Sequence, residues 1–292
     1  MKRLFQLTVT VLLLLTSGLL LSCGSDPKQQ EQGDSGYAGN FLSWTGSGDT
    51  DHYFTLVLVN GMTGSVTNIG GTNFFPEIAY APDGTLYGIS DELHVIDPAT
   101  GNTVKIGTFQ YEASTILMHG SAFSPDGTLY VVENNLSSDR VFSVNLTNAA
   151  LTYIGEPTAL IWDLEFASNG TLYGAYGDLF TLNAANLSTL TTVGHIGSVV
   201  SPMAHDSGGK LFGMDIYPST TIYSLNRNTG AASPVAPTGS FGLRSLVVER
   251  SSAVTSVSVF HKAAAVHGLS FPRALEDLLK NEEAIKAMRS KN

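Results

Sequence analysis

Two acidic residues occupy the same place in a recurring phrase. Glu77 lies seven residues before Gly84 in APDGTLY, and Asp163 lies seven before Gly170 in ASNGTLY. The matching positions before Gly127 and Gly209 hold Gly120 and Pro202. Close by stand His119, Trp162, Glu165 and His205, and Arg244 is the candidate in a partial copy of the phrase near the C-terminus. If the repeat wraps these positions around an axis, Glu77 and Asp163, with Glu165 nearby, offer the oxygen ligands that suit Ca²⁺. A cation held there would polarise a carbonyl. The competing account is plainer: acidic side chains ring a solvated channel mouth together with His119 and His205, and one of them pairs with Arg244.

Other chemistry is harder to build from this chain. It contains no HExxH, no G-x-S-x-G and no Walker loop. GDSG at Gly33–Gly36 sits in a polar stretch with no domain ahead of it to supply a histidine and an aspartate. Cys23 is the only cysteine, so no intramolecular disulfide and no paired-thiolate metal site can form.

The elements that must position these residues are legible in the repeat. Gly84 to Gly127 is 43 residues, Gly127 to Gly170 is 43, and Gly170 to Gly209 is 39. Each unit reads as four short strands. A first run (EIAYA, SAFS, LEFA, MAHD) meets a tight turn (PDG, PDG, SNG, SGG), where Pro presets φ and Gly supplies φ > 0. The second strand opens on Leu-aromatic, the third ends in Asp or Asn, and the fourth ends near Ile-Gly. A period near 40 with this grammar predicts propeller blades.

FTLVLVNGMTGSVTNIG (54–70) matches only the second half of a unit, and GLRSLVVE (242–249) only the innermost strand. The two ends therefore share one blade and close the ring, which removes exposed sheet edges. The reading is an all-β propeller of five four-stranded blades, or six if Tyr37–Thr45 and Val254–Phe260 pair separately. Tyr80, Phe123, Phe166, Tyr87, Tyr130, Tyr173 and Phe212 are expected between blades, with stacking on a sugar as the alternative. Asp91, Glu133 and Asp215 recur beside the second strand and are expected to satisfy turn amides.

Outside the repeat, Lys2 and Arg3 precede an apolar run, Leu4–Leu21, and then Ser22-Cys23. This pattern resembles the lipobox of bacterial lipoproteins, which implies cleavage before Cys23 and lipidation there. The expected organisation is a signal peptide (1–22), a Gly-rich tether (23–39), the propeller (40–250) and a C-terminal extension (251–292). The extension carries an amphipathic α-helix, with Ser270 as its cap and Leu275, Leu278, Leu279, Ile285 and Met288 on one face. After cleavage, 13 basic residues face 25 acidic ones. Such a chain does not bind nucleic acid by neutralising phosphates, and its membrane attachment would be the lipid. Gly24, where an inner-membrane retention signal would place Asp, favours the outer membrane or cell surface.

The phrase PDG-x-LY after a β-rich run resembles the exported bacterial propellers that include NHL-type repeats and gluconolactonase-like lactonases. The resemblance implies the fold. For its lactonase members it also implies a catalytic metal held by Glu, Asn and Asp in the channel, with Glu77 in the first role. Two functions follow: a lipid-anchored binding or scaffold module for a protein or glycan, or a metal-dependent propeller hydrolase.

Overall fold

The computed structural model describes residues 39–46, 54–71, 73–135, 139–197, 200–215, 220–239 and 242–250. All of them fall in one compact unit, Ser35–Asn292. The expected signal peptide, Cys23, most of the expected tether and the expected C-terminal helix lie outside the described residues.

Within them the chain is all-β, and five four-stranded antiparallel sheets follow one another as blades. The first three strands, β1 (Asn40–Trp44), β2 (Leu56–Asn60) and β3 (Val66–Gly70), belong to the closing blade. Blade one is β4 (Glu77–Tyr80), β5 (Leu86–Ile89), β6 (Glu92–Ile96) and β7 (Thr103–Thr108). A small hairpin, β8 (Gln110–Tyr111) and β9 (Ser114–Thr115), leads to blade two: β10 (Met118–Phe123), β11 (Leu129–Glu133), β12 (Val141–Val144) and β13 (Leu151–Gly155). Blade three is β14 (Asp163–Phe166), β15 (Leu172–Tyr176), β16 (Asp178–Asn183) and β17 (Asn186–His195). Blade four is β18 (Val200–His205), β19 (Leu211–Asp215), β20 (Thr221–Leu225) and β21 (Ala232–Pro237). Last, β22 (Val247–Val248) returns to β1 as the innermost strand of the closing blade.

The ring closes with one strand from the C-terminus and three from the N-terminus. Phe41 pairs with Val248 and Leu42 with Val247. Trp44 N donates to Ser245 Oγ (2.9 Å), and the Glu249 amide donates to the Asn40 carbonyl (2.9 Å). The Ala81 amide donates to Thr85 O in the same way, so Gly39-Asn40-Phe41-Leu42 stands where blade one has Gly84-Thr85-Leu86-Tyr87. The closing blade therefore does have a second strand of the repeat type, in degenerate form.

The turn chemistry has a local cause that recurs. After the inner strand, Thr85 N donates to Asp83 Oδ1, Thr128 N to Asp126 Oδ1 and Thr171 N to Asn169 Oδ1. The following φ > 0 position is filled by glycine in blades one to four, at Gly84 (φ 91°), Gly127 (φ 90°), Gly170 (φ 82°) and Gly209 (φ 81°). At the end of the third strand the carboxylate or amide oxygens of Asn60, Asp97, Asn145, Asn183 and Asn226 each accept the backbone N–H two residues on.

The core lies between blades. Five apolar clusters form, one at each interface. The blade one–two cluster contains Tyr87, Leu93 and Val95 against Leu129, Val131 and Phe142. The seam cluster contains Phe41, Val57 and Val59 against Phe212, Met214 and Ile222. The repeat aromatics pair across these interfaces: Tyr87 with Phe123 at 5.4 Å, Tyr130 with Phe166 at 5.5 Å, and Phe41 with Phe212 at 5.1 Å. A single blade could not bury both its faces; each finds its partner in the next. Of the acidic residues beside the second strand, only Asp215 accepts a backbone amide there, that of Thr221. Glu133 instead receives a two-pronged contact from Arg140 at 2.5 and 2.7 Å.

Candidate functional site: an axial cavity

Strand pairing fixes which residues share a level around the axis. Tyr80 lies opposite Leu86, Phe123 opposite Leu129, Phe166 opposite Leu172, and His205 opposite Leu211. Counting back, Glu77, Gly120, Asp163 and Pro202 form one level. The register of the closing blade adds Ser245 to it, not Arg244. Ser245 is buried and spends its hydroxyl on the closure.

This level is shut. Asp163 is 1 % exposed and Glu77 2 %. Asp163 bridges three blades, its Oδ1 accepting the Ser121 amide at 3.2 Å and its Oδ2 the Met203 amide at 2.5 Å. Gly120 makes that approach feasible, since a Cβ there would meet Trp162 O at 2.6 Å and Asp163 Cα at 2.8 Å. Both Asp163 oxygens are thus committed to holding blades together, and among the described residues no three His, Cys, Asp or Glu side chains are grouped to hold a metal ion.

Beyond this floor the axis opens into a cavity of about 880 Å³. It lies toward the ends of the inner strands, at the PDG turns, whereas the sequence reading placed ligands near the strand starts. Inner strands of all five blades wall it. Of the six candidate residues, Glu77, Glu165 and His205 line it; Asp163, His119 and Arg244 do not. His119 sits near Trp162 (rings 6.1 Å apart), and its Nε2–H donates to Ile161 O at 3.2 Å. Burial pushes the His119 imidazole below its ordinary pKa. The partly buried Arg244 packs against Gly46, beside the closure.

Sequence reasoning missed Arg250. Its Nη1 donates to Ala81 O at 2.8 Å, and its guanidinium lies 5.0 Å from the Tyr80 ring centre, at the cavity rim. Nothing in the repeat announces it, because it follows the last strand. Burial pushes the Tyr80 hydroxyl up to about 12.

The cavity breaks the repeat at the blade three–four interface. At the Glu165 level the other open-phrase blades carry Ala79, Ala122 and Ala204; at the His205 level they carry Tyr80, Phe123 and Phe166. Glu165 and His205 face each other across the blade three–four interface. Glu165 Oε1 contacts His205 Nδ1 and accepts the His205 amide at 3.2 Å. Their side chains are 18 % and 24 % exposed.

Burial raises the carboxyl of Glu165, an effect opposed by His205. Glu77 and Asp163 are both held well above their ordinary range. Burial is the main cause, and the neighbouring carboxylates add to it: Asp163 and Glu165 for Glu77, Glu165 for Asp163. Glu77 Oε1 accepts the Ile78 amide (3.0 Å); its Oε2 is buried with no hydrogen-bond partner among the described residues.

At the opposite end, Phe74, Leu117 and Leu160 precede the inner strands at spacings of 43 residues. They are 39–46 % exposed, and Trp162 beside them is 36 % exposed.

Fold and cavity together define a repeat-built, five-bladed β-propeller with an open axial pocket. Residues 58–215 match the family described as a repeat of unknown function (DUF6923), and the chain belongs to that family. No curated protein matches it. Among solved structures, it resembles a chain of a nidogen/laminin complex at 9 % identity and TM-score 0.50, covering 73 % of this chain and 98 % of that one. It also resembles a protein of unknown function from Bacteroides thetaiotaomicron, at 13 % identity and TM-score 0.50, covering 72 % of this chain and 62 % of that one. A putative gluconolactonase aligns at 11 % identity and TM-score 0.47, covering 73 % and 82 %. These likenesses are of fold alone. Among the described residues no helix is long and apolar enough to cross a membrane.

Proposed function

We propose that this protein is a binding module of the bacterial cell envelope, tethered by lipid at Cys23 to the outer membrane or cell surface, and that its axial cavity takes a glycan. One observation carries the reading: the repeat departs from its own pattern at Glu165 and His205, and both departures line the cavity. A repeat under packing demands alone has no reason to exchange Ala and an aromatic for a hydrogen-bonded Glu–His pair at this interface. The volume is that of a small-ligand pocket. Its lining combines hydrogen-bonding groups with the aromatic side chains Tyr80, Phe123 and Phe166, the mixture that suits a polyhydroxylated ligand.

The metal-dependent hydrolase is the weaker reading, because among the described residues no three His, Cys, Asp or Glu side chains are grouped to hold a metal ion. A protein partner has its own support at the other end of the ring, where Phe74, Leu117 and Leu160 repeat an exposed apolar position.

The test is thermal melting of the full chain in detergent with neutral mono- and disaccharides, EDTA and Ca²⁺. A saccharide that binds only the native state raises Tm by mass action, and Glu165→Ala/His205→Phe abolishes that response in a folded protein. A fall with EDTA reversed by Ca²⁺, with lactone turnover, would replace this reading with the hydrolase. Cys23→Ser should move the protein from the membrane to the soluble fraction; continued sedimentation with membranes would remove the lipid anchor.

A further inference from the structure

We propose that the axial cavity selects a ligand bearing a protonated amine, with the ammonium seated at Glu77 Oε2 on the cavity floor. The proposal rests on the reading of the cavity as a glycan site and narrows it to amino sugars.

The first ground is the orphaned oxygen. Glu77 is 2 % exposed and lines the cavity, and its Oε2 has no donor among the described residues. The equivalent carboxylate, Asp163, shows what such a residue does when its role is structural: it takes an amide from the blade on each side. Glu77 takes only the amide of its own neighbour, Ile78.

The second ground is the charge balance. Glu77, Glu165, Asp206 and Glu249 line the cavity, with Asp163 beneath the floor. The other three lining carboxylates have partners: Glu165 meets His205, Asp206 accepts the Lys210 amide at 2.8 Å, and Glu249 accepts from Asn40 Nδ2 at 2.9 Å. The guanidinium in the wall, Arg250, is engaged at the rim by Tyr80 and Ala81 O. What the floor lacks is a donor that also carries positive charge.

An ammonium supplies three donors and a full charge. It satisfies Oε2 and favours the ionised form of Glu77, which burial and the neighbouring Asp163 and Glu165 disfavour. A sugar hydroxyl would do only the first, and charge-assisted hydrogen bonds are the stronger kind. Burial holds the Glu77 carboxyl well above its ordinary range, and an ammonium beside it pulls that pKa back down. Binding then tightens as pH rises, as long as the amine itself stays protonated.

The experiment is isothermal titration of the full chain in detergent with D-glucosamine and D-glucose, which differ at one substituent, in two buffers of different ionisation enthalpy. The expected result is a preference for glucosamine of about tenfold or more, proton release on binding, and loss of the preference in Glu77→Gln. Equal affinities for the two sugars would overturn the amine proposal and leave the glycan reading standing. A preference that survives in Glu77→Gln would overturn the seat. Binding of neither sugar would remove the proposal together with the reading beneath it. The comparison on the unsubstituted protein decides the matter even if Glu77→Gln does not fold.

Discussion

Restoring the repeat consensus at the blade three–four interface should separate stability from binding. The perturbation is a double-substitution cycle: Glu165→Ala, His205→Phe, and both together, each giving the residue type that sister blades carry. Removing one partner of a wholly buried ion pair costs about 3–5 kcal/mol. Here the side chains are 18 % and 24 % exposed, so water compensates part of that loss, and about 1–3 kcal/mol is expected. His205→Phe leaves Glu165 with only an amide donor in a site where burial already raises its pKa, so it should be the costlier single change.

The double variant buries apolar groups in place of the pair. It should recover wild-type stability or exceed it by about 1 kcal/mol, as such replacements do. For a domain of this size 1 kcal/mol moves Tm by roughly 2–4 °C. The assay is urea unfolding at pH 7 of the four proteins, with thermal melts alongside. A coupling energy of about 1 kcal/mol or more between the sites is expected. If the double variant were as unstable as the sum of the singles, Glu165 and His205 would not be an exchangeable replacement for the packing pair, and the argument that function has overwritten the repeat here would fail.

Other expectations follow from the floor and the seam. Glu77 has a raised pKa in the folded state, so its contribution to stability is present below the ordinary glutamate range and lost as pH rises through the raised value; Glu77→Gln should flatten this dependence and be the more stable protein at the alkaline end, as read by melts across pH. Gly120→Ala forces a methyl against Trp162 O and the Asp163 backbone and should cost about 1–3 kcal/mol by denaturant unfolding; a neutral result would mean the blades are not held at this distance. Ser245→Ala strands the buried Trp44 amide, with an expected loss of about 1–3 kcal/mol, and hydrogen exchange at that amide should quicken.

Much of the architecture was legible because its causes are local and repeated. The PDG and SNG turns, the Asn or Asp at the end of each third strand and the Leu-aromatic start of each second strand all act through contacts a few residues apart. The half-unit at each end announced closure. The second strand of the closing blade was harder to see: GNFL satisfies the geometry of GTLY with hardly a residue in common, because the backbone needs only a turn glycine and two apolar side chains.

The site was half legible. Glu77, chosen by counting back from the turn glycine, and Glu165 and His205, chosen as neighbours of the counted positions, line the cavity. Asp163 shares Glu77's position, but its shorter side chain ends among the amides of neighbouring blades, which no spacing argument could foresee. Arg244 was chosen by proximity to the closing strand, and register then assigned its level to Ser245. Arg250 lay beyond the last unit, where periodicity has nothing to say. The interruption at Glu165 and His205 was visible in the aligned units as one Glu among alanines and one His among aromatics.

The seam has a consequence for time rather than for energy. Phe41 and Val248 stand at opposite ends of the described chain, and their pairing joins the blade that starts the array to the strand that ends it. Such a contact carries the largest loop-closure cost in the molecule and belongs late in folding, after the intervening hairpins have formed. A contact made late is one that unfolding must break early, so interactions at the seam govern the unfolding rate more than the folding rate. The lifetime of the native ring, and with it resistance to proteolysis, is set by a strand of two residues and the serine that precedes it.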